Sequence, residues 1–254
     1  MRETLMAGTF DQRGQLVIGD GRIISCFGKK RSGKSIMGTL LFRSYPGDRI
    51  VIDVAGDDGP MGPDVVDLKG TVVDLPRRWP ESKRKDKERM TLRYVPDPGS
   101  PTRLEDVDAV VALALSHGDC ALLIHEVNYV APSGRVPAHM SRLLHQNRHR
   151  NVTAILCDPR PITVDALVLA QSDVVYVFEM NVVQDRERIA QTIGWNTKDF
   201  AEGVTDLGPH EYLRYDANQP KPASDDDPDY RLVHFPALPE DVAKQTYDWA
   251  HGGK

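Results

Sequence analysis

Residues 23–40 read IISCFGKKRSGKSIMGTL: an apolar run, a loop with three basic residues, then Gly33-Lys34-Ser35 and a second apolar run. Gly28 to Ser35 spell G-x-x-x-x-G-K-S, the phosphate-binding P-loop. Gly28 and Gly33 permit a tight turn whose successive backbone N–H groups converge on phosphate oxygens. The helix expected from Ser35 to about Arg43 adds the positive end of its dipole. Lys34 is placed to reach the β- and γ-phosphates, and the Ser35 hydroxyl to ligate the accompanying Mg²⁺. Lys29, Lys30, Arg31 and Ser32 fill the loop and are assigned to phosphate or to a neighbouring subunit. The apolar run before the loop predicts a buried strand, which is the context the motif requires.

The chain has 254 residues and a net charge of −5. That length supports one sizeable core with a small appendage. The charge excludes a uniformly basic nucleic-acid coat but leaves room for a local basic surface. Cys26, Cys120 and Cys157 sit in or beside apolar runs without paired spacing, the pattern of reduced core thiols in a cytosolic protein. No apolar run approaches the roughly 20 residues of a membrane span, and no signal-peptide pattern opens the chain. The expected location is cytoplasmic.

Apolar strand-like runs recur as RIISCF, RIVIDV, MTLRYV, CALLIHEV, VTAILCD and DVVYVFEM. Helical patterns separate several of them, at Ser35–Ser44, Leu104–Ser116, Pro137–Arg148 and Thr163–Gln171. Alternation of this kind predicts an α/β fold, a mainly parallel P-loop NTPase sheet of the RecA/ASCE type with helices on both faces. GTFDQRGQLVIGDGRII is read as an N-terminal hairpin. Residues 1–215 are assigned to the ATPase core and the Pro/Asp-rich 216–230 to a linker. Residues 231–254 are assigned to a short C-terminal tail with one helix.

An ATPase also needs an acidic residue to organise Mg²⁺ and a glutamate to polarise water. In ALLIHEVNYV, Glu126 is the candidate base, while His125 stands where aspartate is usual and makes the metal's ligand an open question. Asp53, ending RIVID, is a candidate metal residue from the adjacent strand. In HQNRHRNVTAILCDPRP, Arg148 and Arg150 end a helix just before a strand that closes on Asp158. Arginines so placed suit either the negative end of their own helix or a phosphate held by a neighbouring subunit. Residues 76–90 carry seven basic residues, Arg77, Arg78, Lys83, Arg84, Lys85, Lys87 and Arg89, interleaved with Glu81, Asp86 and Glu88. This run is a candidate DNA-binding segment, with a solvated loop or a docking contact as alternatives.

Together the P-loop, the LLIHE strand, the NRHRN helix end, AILCDPRP and LAQSDVVYVFEM resemble the FtsK–HerA superfamily of DNA-pumping ATPases. The likeness is to its small viral genome-packaging members and to Zot-like proteins, over Ile23 to Met180. The resemblance implies Arg148 and Arg150 as trans-acting fingers and a γ-phosphate sensor at Asp158, where glutamine is common. It further implies ATP and Mg²⁺ as ligands, a pentameric or hexameric homo-oligomeric ring, double-stranded DNA as substrate, and a capsid portal or vertex as partner. A viral member would work in the host cytoplasm or at the capsid vertex. The absence of a large barrel, a winged-helix module or a membrane anchor leads to the expectation of a near-minimal motor. The rivals are a plasmid-transfer or segregation motor, a small-molecule kinase with residues 77–89 as its lid, and a non-hydrolysing ATP-binding scaffold. A GTPase is disfavoured because the sequence holds no N-K-x-D.

Overall fold

The computed structural model describes residues 21–56, 59, 61–62, 65–70, 89–224 and 229–252. The expected N-terminal hairpin and the basic residues Arg77 to Lys87 lie outside these residues, except that the hairpin stretch runs into the first strand.

All six apolar runs form strands: β1 (Ile23–Phe27), β2 (Asp48–Ile52), β4 (Thr91–Pro96), β5 (Cys120–His125), β6 (Val152–Asp158) and β7 (Val174–Phe178). Three further strands, β3 (Val65–Gly70), β8 (Tyr212–Asp216) and β9 (Leu232–Phe235), complete one nine-stranded sheet of order β3-β4-β2-β5-β6-β1-β7-β8-β9 among the described residues. β1 to β7 pair parallel, whereas β8 and β9 add antiparallel at one edge. Parallel neighbours need crossovers. These are α1 (Lys34–Ser44), α2 (Arg103–His117), α3 (Ala138–Arg150) and α4 (Ala166–Ala170), while α5 (Val183–Ile193) and α6 (Thr197–Thr205) join β7 to β8.

Burial on both faces explains why the central strands read as continuous apolar runs. Along β5, Cys120, Leu122 and Ile124 join one core, and Ala121 and Leu123 the other. The first core packs α2 to α6, through Val110, Met140, Val168, Ile189 and Phe200 among others. The second packs α1, through Met37, Leu41 and Phe42.

The segment assigned to a linker and tail returns to the sheet. β9 pairs with β8, and α7 (Glu240–His251) is the expected terminal helix. α7 lies against α1, with Trp249 edge-on to Phe42 at 6.5 Å between centroids. The Arg49 guanidinium sits 5.2 Å from the Trp249 ring and 5.6 Å from that of Phe42, a cation–π arrangement in a largely buried setting. Burial lowers the Arg49 pKa to about 10.

α1 approaches the sheet closely through Gly38, where an added Cβ would lie 2.5 Å from Cys157 Sγ. Gly38→Ala gains about 1 kcal/mol of helix propensity but overpacks the contact, at a cost of about 1–3 kcal/mol. Denaturant unfolding should therefore show Gly38→Ala less stable than wild type by about 1 kcal/mol. The same change in a Cys157→Ala background should be neutral or stabilising; an unchanged penalty there would show that Cys157 is not the obstacle.

Candidate nucleotide-binding site

The P-loop joins the C-terminal end of β1 to α1. Gly33, the N-cap of α1, has φ 103°, a conformation that strains any other residue. A Cβ on Gly28 would meet Phe178 Cβ at 2.6 Å and Ser32 Oγ at 2.7 Å, so this glycine is required for space. No side chain caps α1, and its first-turn N–H groups have no partners within the helix. Lys34 Nζ lies 3.4 Å from Ser35 Oγ, with Ser35 exposed and Lys34 half-buried. Buried Ser32 Oγ has no hydrogen-bond partner among the described residues. Free donors, an ammonium and an exposed hydroxyl at one loop suit a triphosphate and its Mg²⁺.

Not every loop residue faces that way. Lys29 donates its backbone N–H to the Glu179 carbonyl at 2.9 Å, and its ammonium pairs with the Glu179 carboxylate. Glu179 follows β7, and sequence reading gave it no role because the contact spans 150 positions. Lys30 and Arg31 are exposed, and Arg31 adopts φ 65°.

Because β5, β6 and β1 run parallel, Glu126, Asp158 and the P-loop emerge at the same sheet edge. Glu126 follows β5 at φ 59°, ψ 58°, a sparsely populated backbone state of the kind that collects at functional sites. It is half-buried, and a 3-10 turn over Val127–Tyr129 follows it. Asp158 is fully buried; its carboxylate accepts the backbone N–H groups of Asn128 at 2.8 Å and Arg160 at 2.8 Å. Burial raises its pKa to about 6, against the pull of those two hydrogen bonds and of Lys34. Asp158 thus ties the Glu126 loop to the end of β6.

His125 is buried, and desolvation followed by the charge of Lys34 lowers its pKa to about 4. A neutral imidazole is a poor substitute for the oxygen ligands that Mg²⁺ prefers. Asp53 accepts Arg93 Nη2 at 2.6 Å and Nε at 3.2 Å on one oxygen, and the Gly56 N–H at 2.7 Å on the other. Its surroundings make it first the partner of Arg93. Of the three, Asp158 is the carboxylate that pairs with no cationic side chain among the described residues, since both its oxygens accept backbone N–H groups.

Arg148 and Arg150 end α3, two residues before β6 begins, and so lie at the sheet edge opposite the P-loop. A seven-residue strand separates the two edges, about 20 Å at 3.3 Å per residue. Neither arginine can reach its own P-loop. Arg148 pairs with Asp173, whose other oxygen accepts the Ile23 N–H at 2.9 Å. The Arg150 side chain is exposed and forms no ion pair among the described residues. Arg89, from the basic run, donates to the Tyr45 carbonyl at 3.3 Å.

The Asp158 and His125 shifts oppose each other in folding. Between about pH 3.8 and 6 the unfolded chain has lost the Asp158 proton that the fold retains, so this group lowers stability as pH rises. Between about pH 4 and 6.5 the unfolded chain holds the His125 proton that the fold excludes, so this group raises stability as pH rises. In Mg²⁺-free buffer, Asp158→Asn should therefore lose stability on acidification from pH 6.5 to 4 more steeply than wild type, and His125→Asn less steeply. The slopes should differ by at most about 1.4 kcal/mol per pH unit, read from denaturant midpoints; parallel slopes for all three proteins would contradict both assignments.

No protein-family model matches the chain, and no curated protein matches it in sequence. Solved structures do share its fold. The genome packaging NTPase B204 of Sulfolobus turreted icosahedral virus 2, in complex with sulfate, superposes with a TM-score of 0.63 at 18% identity, covering 89% of this chain and 100% of that one. B204 described as the DNA-packaging ATPase of Sulfolobus turreted icosahedral virus gives 0.61 at 20% identity, with coverage of 87% and 100%. The N-terminal domain of zonular occludens toxin from Neisseria meningitidis gives 0.46 at 13% identity, covering 89% and 98%, a score too low to carry an argument. The chain has the α/β fold of a P-loop NTPase, a mostly parallel sheet shared with B204.

Proposed function

We propose that this chain is an ATP-driven ring motor that moves double-stranded DNA, packaging a viral genome into a preformed capsid. The observation that carries the reading is the placement of the P-loop, Glu126 and Asp158 at one sheet edge and an exposed arginine at the other. A site whose arginine lies about 20 Å away is completed by a head-to-tail neighbour, and head-to-tail contacts form a ring when the rotation between neighbours closes, the arrangement proposed here. The fold shared with B204 supports packaging over plasmid transfer or segregation, and residues 77–87 are the proposed DNA grip.

In this mechanism the P-loop N–H groups and Lys34 hold the phosphates, and Ser35 and Asp158 are the residues that would hold Mg²⁺. Held there, the ion would supply positive charge against the phosphates. Glu126, half-buried at the end of its strand, orients water and accepts its proton. Arg150 of one subunit stabilises the charge that develops on the phosphate held by the next. Loss of that phosphate removes a contact spanning the interface, which lets the subunits shift. DNA is gripped by its backbone phosphates, since a pump must pass any sequence.

The buried neutral His125 favours a second reading, a scaffold that binds ATP without hydrolysing it. ATP turnover against protein concentration, with and without double-stranded DNA and beside Lys34→Ala, decides between them. The motor predicts DNA stimulation and a steeper-than-linear rise with protein. Glu126→Gln and Arg150→Ala should each lose about 100-fold or more in turnover, and mixing the two should restore part of it, because some interfaces then pair an intact Glu126 with an intact Arg150. Turnover linear in protein and indifferent to DNA sinks the motor; turnover unaffected by Glu126→Gln sinks Glu126 as the base.

A further inference from the structure

The proposed roles of Glu126 and Asp158 imply a direction for the bound nucleotide. They follow β5 and β6, on one side of β1 in the sheet, so the γ end of a triphosphate on the P-loop faces that side. The nucleoside, at the other end of the phosphate chain, faces β7 and β8. There β8 runs antiparallel to β7, with Tyr212 opposite Phe178. The segment just before Tyr212 therefore stands at the same edge as the P-loop.

That segment, Gly208-Pro209-His210-Glu211, is a tight turn closed by the Glu211 N–H donating to the Gly208 carbonyl at 3.1 Å. Proline at the second position and a positive φ at the third are the marks of a type II turn, whose third position ordinarily belongs to glycine or asparagine. Here it is His210, at φ 64°. The turn is held from both sides. The Glu211 carboxylate accepts the Gly208 N–H at 2.9 Å and bonds His234 Nε2 of β9 at 3.0 Å. This fixed, strained backbone carries an exposed imidazole to the P-loop: a Cβ on Gly33 would lie 3.3 Å from Phe178 Cε1 and 3.5 Å from His210 Nδ1. Pro209 and Glu211 have structural work in the turn, whereas a histidine side chain contributes nothing to it that glycine would not improve.

We infer that His210 contacts the nucleoside of the bound nucleotide, on its ribose or base, and leaves the phosphates to the P-loop. Phe178 approaches the same glycine of the loop, Gly33. The inference rests on the nucleotide-binding reading above and adds the residue that distinguishes a nucleotide from bare polyphosphate.

Competition binding of ADP and of inorganic tripolyphosphate, each with Mg²⁺, tests it on wild type, His210→Gly, His210→Asn and Lys34→Ala. Glycine and asparagine both suit a positive φ, so both variants should fold, with unliganded melting temperatures at or above wild type. Each should bind ADP about 10-fold more weakly, the loss of roughly one good contact, and bind tripolyphosphate as wild type does. Unchanged ADP affinity overturns the inference, and so does an equal loss for both ligands, which would put His210 on the phosphates. Failure of the underlying reading looks different: wild type would bind neither ligand, or Lys34→Ala would bind both as well as wild type does, and the inference would fall with it.

Discussion

The parallel pairing of β1 with β6, which sets Phe27 beside Asp158, is the constraint on which the rest of the site depends. Since β5 continues the same parallel register, with His125 beside Cys157, three strand ends are delivered to one edge without any residue of the site having to make a long excursion. The cost of such a sheet is that both faces must be covered, and the two cores are what cover it. α1 is the element where the two demands meet. No side chain caps its first turn, and its hold on the protein comes from Met37, Leu41 and Phe42 below and from the close seat of Gly38 on Cys157.

Asp158 converts this proximity into a connection. One carboxylate accepts an N–H from the loop after β5 and another from the loop after β6. A change in what Asp158 touches therefore reaches Glu126, two residues before Asn128, through a single hydrogen bond. Glu126 in its positive-φ conformation relies on neighbours to hold it there. Burial raises the Asp158 pKa to about 6, so its surroundings disfavour the charge even with two N–H groups donating to it.

The central strands were legible because burial on both faces writes itself as an unbroken apolar run. β3 was missed because Val65–Gly70 mixes Asp67 and Lys69 into its run, β8 because Arg214 and Asp216 break its apolar pattern, and β9 because it is a four-residue edge strand, mostly half-exposed. α5 escaped notice for a related reason: in VQDRERIAQTI only Ile189, Ala190 and Ile193 are buried apolar residues. The Pro/Asp-rich composition after Asp216 suggested a linker, and nothing local announced that Leu232–Phe235 would pair with β8. In the site, the residues fixed by spacing within one motif were readable. Their partners were not: Glu179 on Lys29, Arg93 on Asp53, Asp173 on Arg148 and His210 over Gly33 are all made by tertiary placement.

The two arginines of α3 show how much a partner changes a residue's meaning. In sequence they are equivalent, two positions apart at a helix end. In the fold Arg148 faces Asp173, a nearly buried carboxylate that also receives the first N–H of β1. Withdrawing Arg148 toward a neighbouring subunit would leave that carboxylate short of a counter-charge at the base of the strand that carries the P-loop, a costly exchange. Arg150 has no such commitment: its carbonyl accepts the Asp119 N–H at 3.0 Å, but its guanidinium stands in solvent. A residue that must cross an interface and return in every cycle is best chosen from those whose departure leaves nothing uncompensated behind. By that criterion Arg148 anchors β1, and Arg150, whose guanidinium has no ion-pair partner among the described residues, fits the trans-acting role proposed above better than Arg148 does.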